Sequence, residues 1–265
     1  MNTTSVSATR VMATAPTDAS TPILEVHAVS RYFGKFQALH NITTRFQAGE
    51  LTAIIGPNGA GKSTFFNVIS GGIAPSQGRV SFEGRDITHM AQHDYARTGI
   101  AKSFQITNVF KHLSAHENVR VALQMQTSRY EILRARGAYA ELSDRAHALL
   151  ERVGLTASRA KLAGDLAHGQ QRSLEVAMAL ACEPKLLLMD EPTAGMSPQE
   201  TVVMMDLITQ MAAERTIILV EHKMKLVMGL CKRLLVLHHG ELLAEGSPDD
   251  IRSNAEVKRV YLGQN

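Results

Sequence analysis

Tryptophan is absent from this chain of 265 residues, and cysteine occurs twice, at Cys182 and Cys231. Neither cysteine belongs to a C-x-x-C pair, so a disulfide scaffold is excluded and a reducing compartment is the expectation. No apolar run approaches the roughly 18 residues that a bilayer crossing needs, and an interfacial Trp anchor is missing as well. The chain is not expected to cross a membrane by itself. Charge of one sign is also scarce: 28 Lys+Arg against 25 Asp+Glu leave +3. That is far from the clustered basic excess of a nucleic-acid binder, and no nucleic-acid partner is expected. Residues 1–22 are rich in Ser, Thr and Ala and lack the apolar core of a secretory signal. They read as a disordered tail, with a transit peptide as the competing reading.

What is present is an alternation of strand and helix signals. Leu24, Val26 and Ala28, then Ile42, Thr44 and Phe46, alternate with polar residues and predict half-buried strands. Leu51 to Ile55 predicts a buried strand running into Gly56, followed by a helix that ends at Gly71 and Gly72. Val80 and Phe82 suggest another strand, turning at Glu83 and Gly84. From about 106 to 165 the signals are helical. Ser114 and Glu117 form a capping box, and Leu142, Ala146, Leu149, Leu150 and Val153 share one helical face that Gly154 ends. The α/β rhythm then resumes. Leu174, Ala177, Met178 and Ala181 line a helix, Leu186 to Met189 a strand, and Ser197, Pro198 and Glu200 cap a helix with Met204, Leu207, Ile208 and Met211 on its apolar face. Ile217 to Val220, Leu234 to Leu237 and Leu242 to Ala244 predict strands, and Ser247, Pro248, Asp249 and Asp250 open a single last helix. The pattern predicts an α/β fold with a parallel central sheet, N-terminal antiparallel strands and an inserted α-helical subdomain, all within residues 23–265.

The chemistry begins at Gly56-Pro57-Asn58-Gly59-Ala60-Gly61-Lys62-Ser63-Thr64, which fits G-x-x-x-x-G-K-[ST] between a predicted strand and a predicted helix. Such a P-loop wraps backbone amides around phosphate oxygens at a helix N-terminus. Lys62 is placed for the β and γ phosphates, Ser63 for Mg²⁺ and Thr64 for the α phosphate. A metal-holding acid is needed elsewhere, and Asp190 reads as the only acid that ends a buried apolar strand. Asp190 would hold Mg²⁺ through water, and the adjacent Glu191 would orient or deprotonate the attacking water, so hydrolysis is expected.

Other residues narrow the class. Leu166-Ala167-His168-Gly169-Gln170 resembles the signature loop of ATP-binding-cassette (ABC) ATPases. Gln105 stands where that family carries its Q-loop glutamine, His222 where it carries the switch histidine, and Ala194 to Ser197 at the D-loop. Phe33 matches the aromatic that stacks on adenine, with a simple apolar contact and the neighbouring Tyr32 as competing readings. The resemblance covers about residues 23 to 265. It implies a P-loop NTPase fold with ATP and Mg²⁺ as cofactors. It also implies two domains closing head to tail, so that each ATP lies between one P-loop and the opposing signature helix. Gln105 would sense Mg²⁺ and the attacking water, and His222 would hold the γ phosphate.

Three positions depart from the family pattern. Ala167 replaces the usual signature serine and His168 the first glycine. A hydrogen bond to a charged group contributes roughly 1.5–3 kcal/mol, so the composite site that uses this signature is expected to close less tightly than its counterpart. Ser197 replaces the common D-loop aspartate, for which its helix-capping role suffices. His238 and His239 lack a ligand spacing, the methionines read as core filler, and both cysteines read as structural.

Within the family, Glu221 to Gly229 and the stretch from Ala244 through Gly263 resemble the LivG-type ATPases of bacterial branched-chain amino-acid importers. The C-terminal part, about 247–265, is an extension typical of that group. The resemblance implies two membrane permease subunits, a second and smaller ATPase subunit, and a periplasmic solute-binding protein as partners. It places the chain at the cytoplasmic face of the inner membrane. Urea, amide or other amino-acid uptake is the alternative role, followed by a soluble non-transport ABC ATPase.

Overall fold

The structure, a computed structural model, describes residues 22–103, 109–124 and 136–261. Its strands, in chain order, are β1 (Pro22–Phe33), β2 (Phe36–Gln47), β3 (Leu51–Ile55), β4 (Gln77–Phe82), β5 (Arg85–Asp86), β6 (Ile100–Ser103), β7 (Leu186–Asp190), β8 (Thr216–Val220), β9 (Arg233–His238) and β10 (Glu241–Gly246). The helices are α1 (Lys62–Ile69), α2 (Gln92–Thr98), α3 (Ala115–Gln124), α4 (Arg136–Arg152), α5 (His168–Leu180), α6 (Pro198–Ala212), α7 (Met224–Leu230), α8 (Pro248–Ser253) and α9 (Ala255–Tyr261).

The central sheet has the order β10-β9-β3-β8-β7-β6, parallel throughout except for the β9–β10 hairpin. Its inner strands β3, β7 and β8 are buried at every position and mostly apolar, because both faces are covered. Leu51, Ala53, Ile55, Leu187, Met189, Ile217 and Leu219 pack into one cluster with α3, α4, α5 and α6. Ile54, Leu186, Leu188, Ile218 and Val220 point the other way, into a second cluster with α1 and the antiparallel sheet β2-β1-β4-β5. The β3–α1 turn emerges from the middle of the sheet, with the ends of β7 and β8 beside it.

The structure alters four expectations. Pro22 already pairs with Gln47, so β1 begins inside the expected tail. Along β1 the inward alternation stops at Ala28, where the backbone turns left-handed (φ 51°) and the register slips, and Val29 takes the buried place instead. Helix α2 and strand β6 carried no sequence signal, since α2 is short and polar and Tyr95 is its buried anchor. The single last helix is two, because Asn254 adopts an extended conformation and its Oδ1 accepts the amides of Glu256 and Val257, capping α9 anew.

The helical region between β6 and β7 is tied down at its start. Ser114 N donates to Glu117 Oε2 at 2.9 Å and Glu117 N to Ser114 Oγ at 3.1 Å, the expected capping box of α3. A bridge from Ser114 to Leu162 links this corner to the stretch that leads into α5.

Candidate functional site

Strand β3 delivers the phosphate-binding loop to the N-terminus of α1. Gly61 sits at φ 96°, and a Cβ there would lie 2.9 Å from the Ala38 carbonyl oxygen and 3.1 Å from the Leu39 side chain. The β1–β2 hairpin therefore packs directly on the loop and leaves room for glycine alone. Lys62 is buried, and its Nζ donates to the carbonyls of Gly56 (2.8 Å) and Pro57 (3.0 Å). Burial holds its pKa below the usual lysine range, against the opposing pull of Glu191 and Asp190. Asn58, Gly59 and Ser63 are exposed, Thr64 is half-buried and Ala60 is buried. Exposed loop and buried ammonium together suit a phosphate chain lying over the helix N-terminus.

Asp190 ends β7 opposite Val220 of β8, whose neighbour is β3. Burial pushes the Asp190 carboxyl up, Glu191 adds to this, and Lys102, Arg172 and Lys62 oppose it. Glu191 leaves the strand in the left-handed region (φ 46°), a conformation that costs a non-glycine residue on the order of 1–3 kcal/mol. Its amide donates to the Val220 carbonyl at 2.9 Å. Its Oε1 comes within 3.7 Å of His222 Nδ1, so the expected water-orienting acid and switch histidine meet at the ends of β7 and β8.

A second acid ends a buried strand, which corrects the reading of Asp190 as the only one. Glu221 follows β8, is fully buried, accepts the Thr193 hydroxyl on Oε1, and receives the amides of His222 (3.0 Å) and Lys223 (3.3 Å) on Oε2. Lys223 Nζ in turn donates to the Thr193 carbonyl and hydroxyl oxygens, each at 3.3 Å. The backbone of His222 and the turn after Glu191 are thus fastened to one carboxylate. The signal was there to read, an acid directly after Thr-Ile-Ile-Leu-Val. Lys102 was missed too, because β6 was; its Nζ donates to Asn67 Oδ1 at 2.9 Å and lies 4.9 Å from the Phe66 ring centroid.

The predicted signature opens α5 with Leu166 and Gly169 buried and Ala167 and His168 exposed. Ala167 N donates to Gln170 Oε1 at 3.3 Å. Gly195 of the neighbouring turn has φ 72°, and a Cβ on it would come within 3.3 Å of the His168 ring. Ser197 caps α6 as expected, with its Oγ accepting Glu200 N at 3.3 Å. Phe33 ends β1 with an exposed ring, one face of which carries the Arg31 guanidinium at 4.8 Å; Tyr32 is exposed as well. Gln105 lies outside the described residues.

A phosphate loop, strand-end carboxylates and a signature helix on this sheet order define an ABC-type ATPase. Residues 39–194 match the ABC transporter family and residues 241–265 the branched-chain amino acid ATP-binding cassette transporter family. The chain belongs to the ABC transporter ATP-binding family. It is 38% identical over 253 residues to the high-affinity branched-chain amino acid transport ATP-binding protein LivG of Salmonella typhimurium, spanning 92% of this chain and 99% of that one. BraF of Pseudomonas aeruginosa, of the same description, is 36% identical over 253 residues, again 92% and 99%. Among solved structures, the ADP conformation of an ABC transporter's ATP-binding cassette superposes with a TM-score of 0.81 at 30% identity, covering 92% of this chain and all of that one. Among the described residues no helix is long and apolar enough to cross a membrane.

Proposed function

We propose that this chain is the ATP-hydrolysing subunit of an importer for branched-chain amino acids. The observation that carries this reading is the similarity to LivG and BraF over 92% of the chain, together with the match of residues 241–265 to the branched-chain family. Two membrane permeases, a second ATPase and a periplasmic binding protein complete the assembly, with this subunit at the cytoplasmic face of the inner membrane. The helical region docks on a permease.

Within the site, Gly56 to Gly61 wrap the phosphates, Lys62 swings from its carbonyl partners to the β and γ phosphates, and Thr64 bonds the α phosphate. Phe33 offers the free face of its ring to adenine. The Ser63 hydroxyl and, through water, the Asp190 carboxylate would hold Mg²⁺, a hard cation that such oxygen donors suit. Mg²⁺ supplies charge neutralisation at the phosphates. Glu191 takes a proton from the attacking water or orients it, and His222, held by Glu221, fixes the γ phosphate. Gln105 passes the state of the site to the helical region. Leu166 to Gln170 cover the ATP held by the second ATPase.

The test is Glu191→Gln in the chromosomal copy, with uptake of labelled leucine and labelled urea measured separately. The expected result is loss of leucine uptake and an ATP-trapped closed ATPase dimer, with urea uptake unaffected. Unchanged leucine uptake would sink the proposal.

A further inference from the structure

The N-termini of α5 and α6 meet across a single carboxylate. Glu200 is the third residue of α6, and its Oε2 accepts the Ser197 amide at 2.9 Å, completing the box whose other half is Glu200 N on Ser197 Oγ. Its second oxygen, Oε1, accepts the amide of Gly169, the second residue of α5, at 3.2 Å. The approach is tight: a Cβ on Gly169 would lie 2.4 Å from Glu200 Oε1. His168 closes the other side against Gly195. The signature turn and the turn from Ala194 to Ser197 are thereby clasped together within one chain.

An amide proton serves one good acceptor at a time, and a helix N-terminus that already faces a carboxylate is a poorer place for a second anion. The donors that this signature can offer a phosphate are already reduced, since Ala167 has no hydroxyl. We propose that Glu200 acts as an internal anion on the signature turn: it competes with the terminal phosphate of the ATP held by the second ATPase and makes that composite site the weaker of the two. The inference rests on the head-to-tail pairing proposed above. Glu200 is in this sense a positioning residue, acting through the amide of Gly169.

The chain supplies the design of its own test. At the start of α8 an aspartate stands at the same third helical position and still closes the box, with Ser247 N on Asp250 Oδ2 at 2.9 Å and Asp250 N on Ser247 Oγ at 3.2 Å. Glu200→Asp therefore keeps the cap of α6 and withdraws the carboxylate from Gly169 by one methylene. In the assembled transporter the expected result is a KM for ATP lowered about three- to tenfold, with kcat changed less than KM. The thermal midpoint should stay within about 1 °C. Glu200→Gln, which keeps one acceptor oxygen and loses the charge, should shift KM in the same direction. An unchanged or raised KM in both variants overturns the proposal, as does a fall in thermal midpoint alone, which would mark Glu200 as a cap and nothing more. Absence of ATP-driven association with the second ATPase in the unsubstituted protein would overturn the pairing itself, and this proposal with it.

Discussion

The two faces that would enclose ATP are anchored very differently. The holding face grows from the ends of β3, β7 and β8, and its key polar groups are buried: Lys62, Asp190, Thr193 and Glu221. The covering face is a helix start and a turn, where Ala167, His168, Gly195 and Ser197 are exposed and the main tie is one carboxylate. A group fastened to the end of a buried strand cannot shift without disturbing the core, whereas a group on a helix start can trade one partner for another. Chemistry that needs fixed geometry belongs on the first face, and affinity that evolution can adjust belongs on the second.

The sharpest way to break this contrast is Glu221→Ala. Without the carboxylate the Thr193 hydroxyl and the amides of His222 and Lys223 all lose their acceptor, so His222 loses its mounting. We expect kcat for ATP to fall about ten- to a hundredfold, with little change in KM, and stability to drop by about 1–3 kcal/mol, read by denaturant titration and steady-state turnover. A large KM effect with intact kcat would show that the holding face is not specialised in this way. On the covering face, Ala167→Ser restores a donor at an exposed position. There the expected outcome is a KM for ATP about tenfold lower in the assembled transporter, with kcat nearly unchanged, and equal KM values would remove the case for two unequal sites.

The smallest effect concerns pH. Capping amides and hydroxyls hold three carboxylates below their usual range: the Ser114 amide chiefly for Glu117, the Ser197 amide for Glu200 and the Ser247 hydroxyl for Asp250. A depressed carboxylate stabilises the fold above its unfolded pKa and loses that contribution as pH falls through the folded one. The contribution of these three boxes to the thermal midpoint should therefore be flat between about pH 7 and 5 and decline below about pH 4. Glu117→Gln, which removes the titrating group and keeps an acceptor for the Ser114 amide, should flatten its share of that decline, and a profile identical to the unsubstituted protein would show that the box carries none of it.

Much of the holding face was legible in the sequence, because its signals are local. The loop from Gly56 to Thr64 lies in one stretch, and Asp190 and Glu191 follow a recognisable apolar run. Glu221 follows an equally apolar run, but its role is not local: its partners, Thr193 above all, come from another strand end. The tie from Glu200 to Gly169 was not legible at all, since a capping box explains Glu200 completely until the two helix starts are seen side by side. The bulge at Ala28 was hidden for a similar reason: alternation shows which residues prefer burial, not where pairing with Ile42 and Val80 forces a slip. Strand β6 lacked signal because an edge strand with Lys102 in it needs only one apolar partner, β7.

The order of the central sheet also sets a timetable. Strand β3 and its phosphate loop are synthesised early, but the strands on either side of β3, namely β8 and β9, are among the last to leave the ribosome. Contacts so distant along the chain form only after their loop-closure entropy has been met. A nascent chain therefore carries a phosphate loop with neither its carboxylates nor its flanking strands, and the ability to hydrolyse ATP arrives only when nearly the whole chain has folded around it.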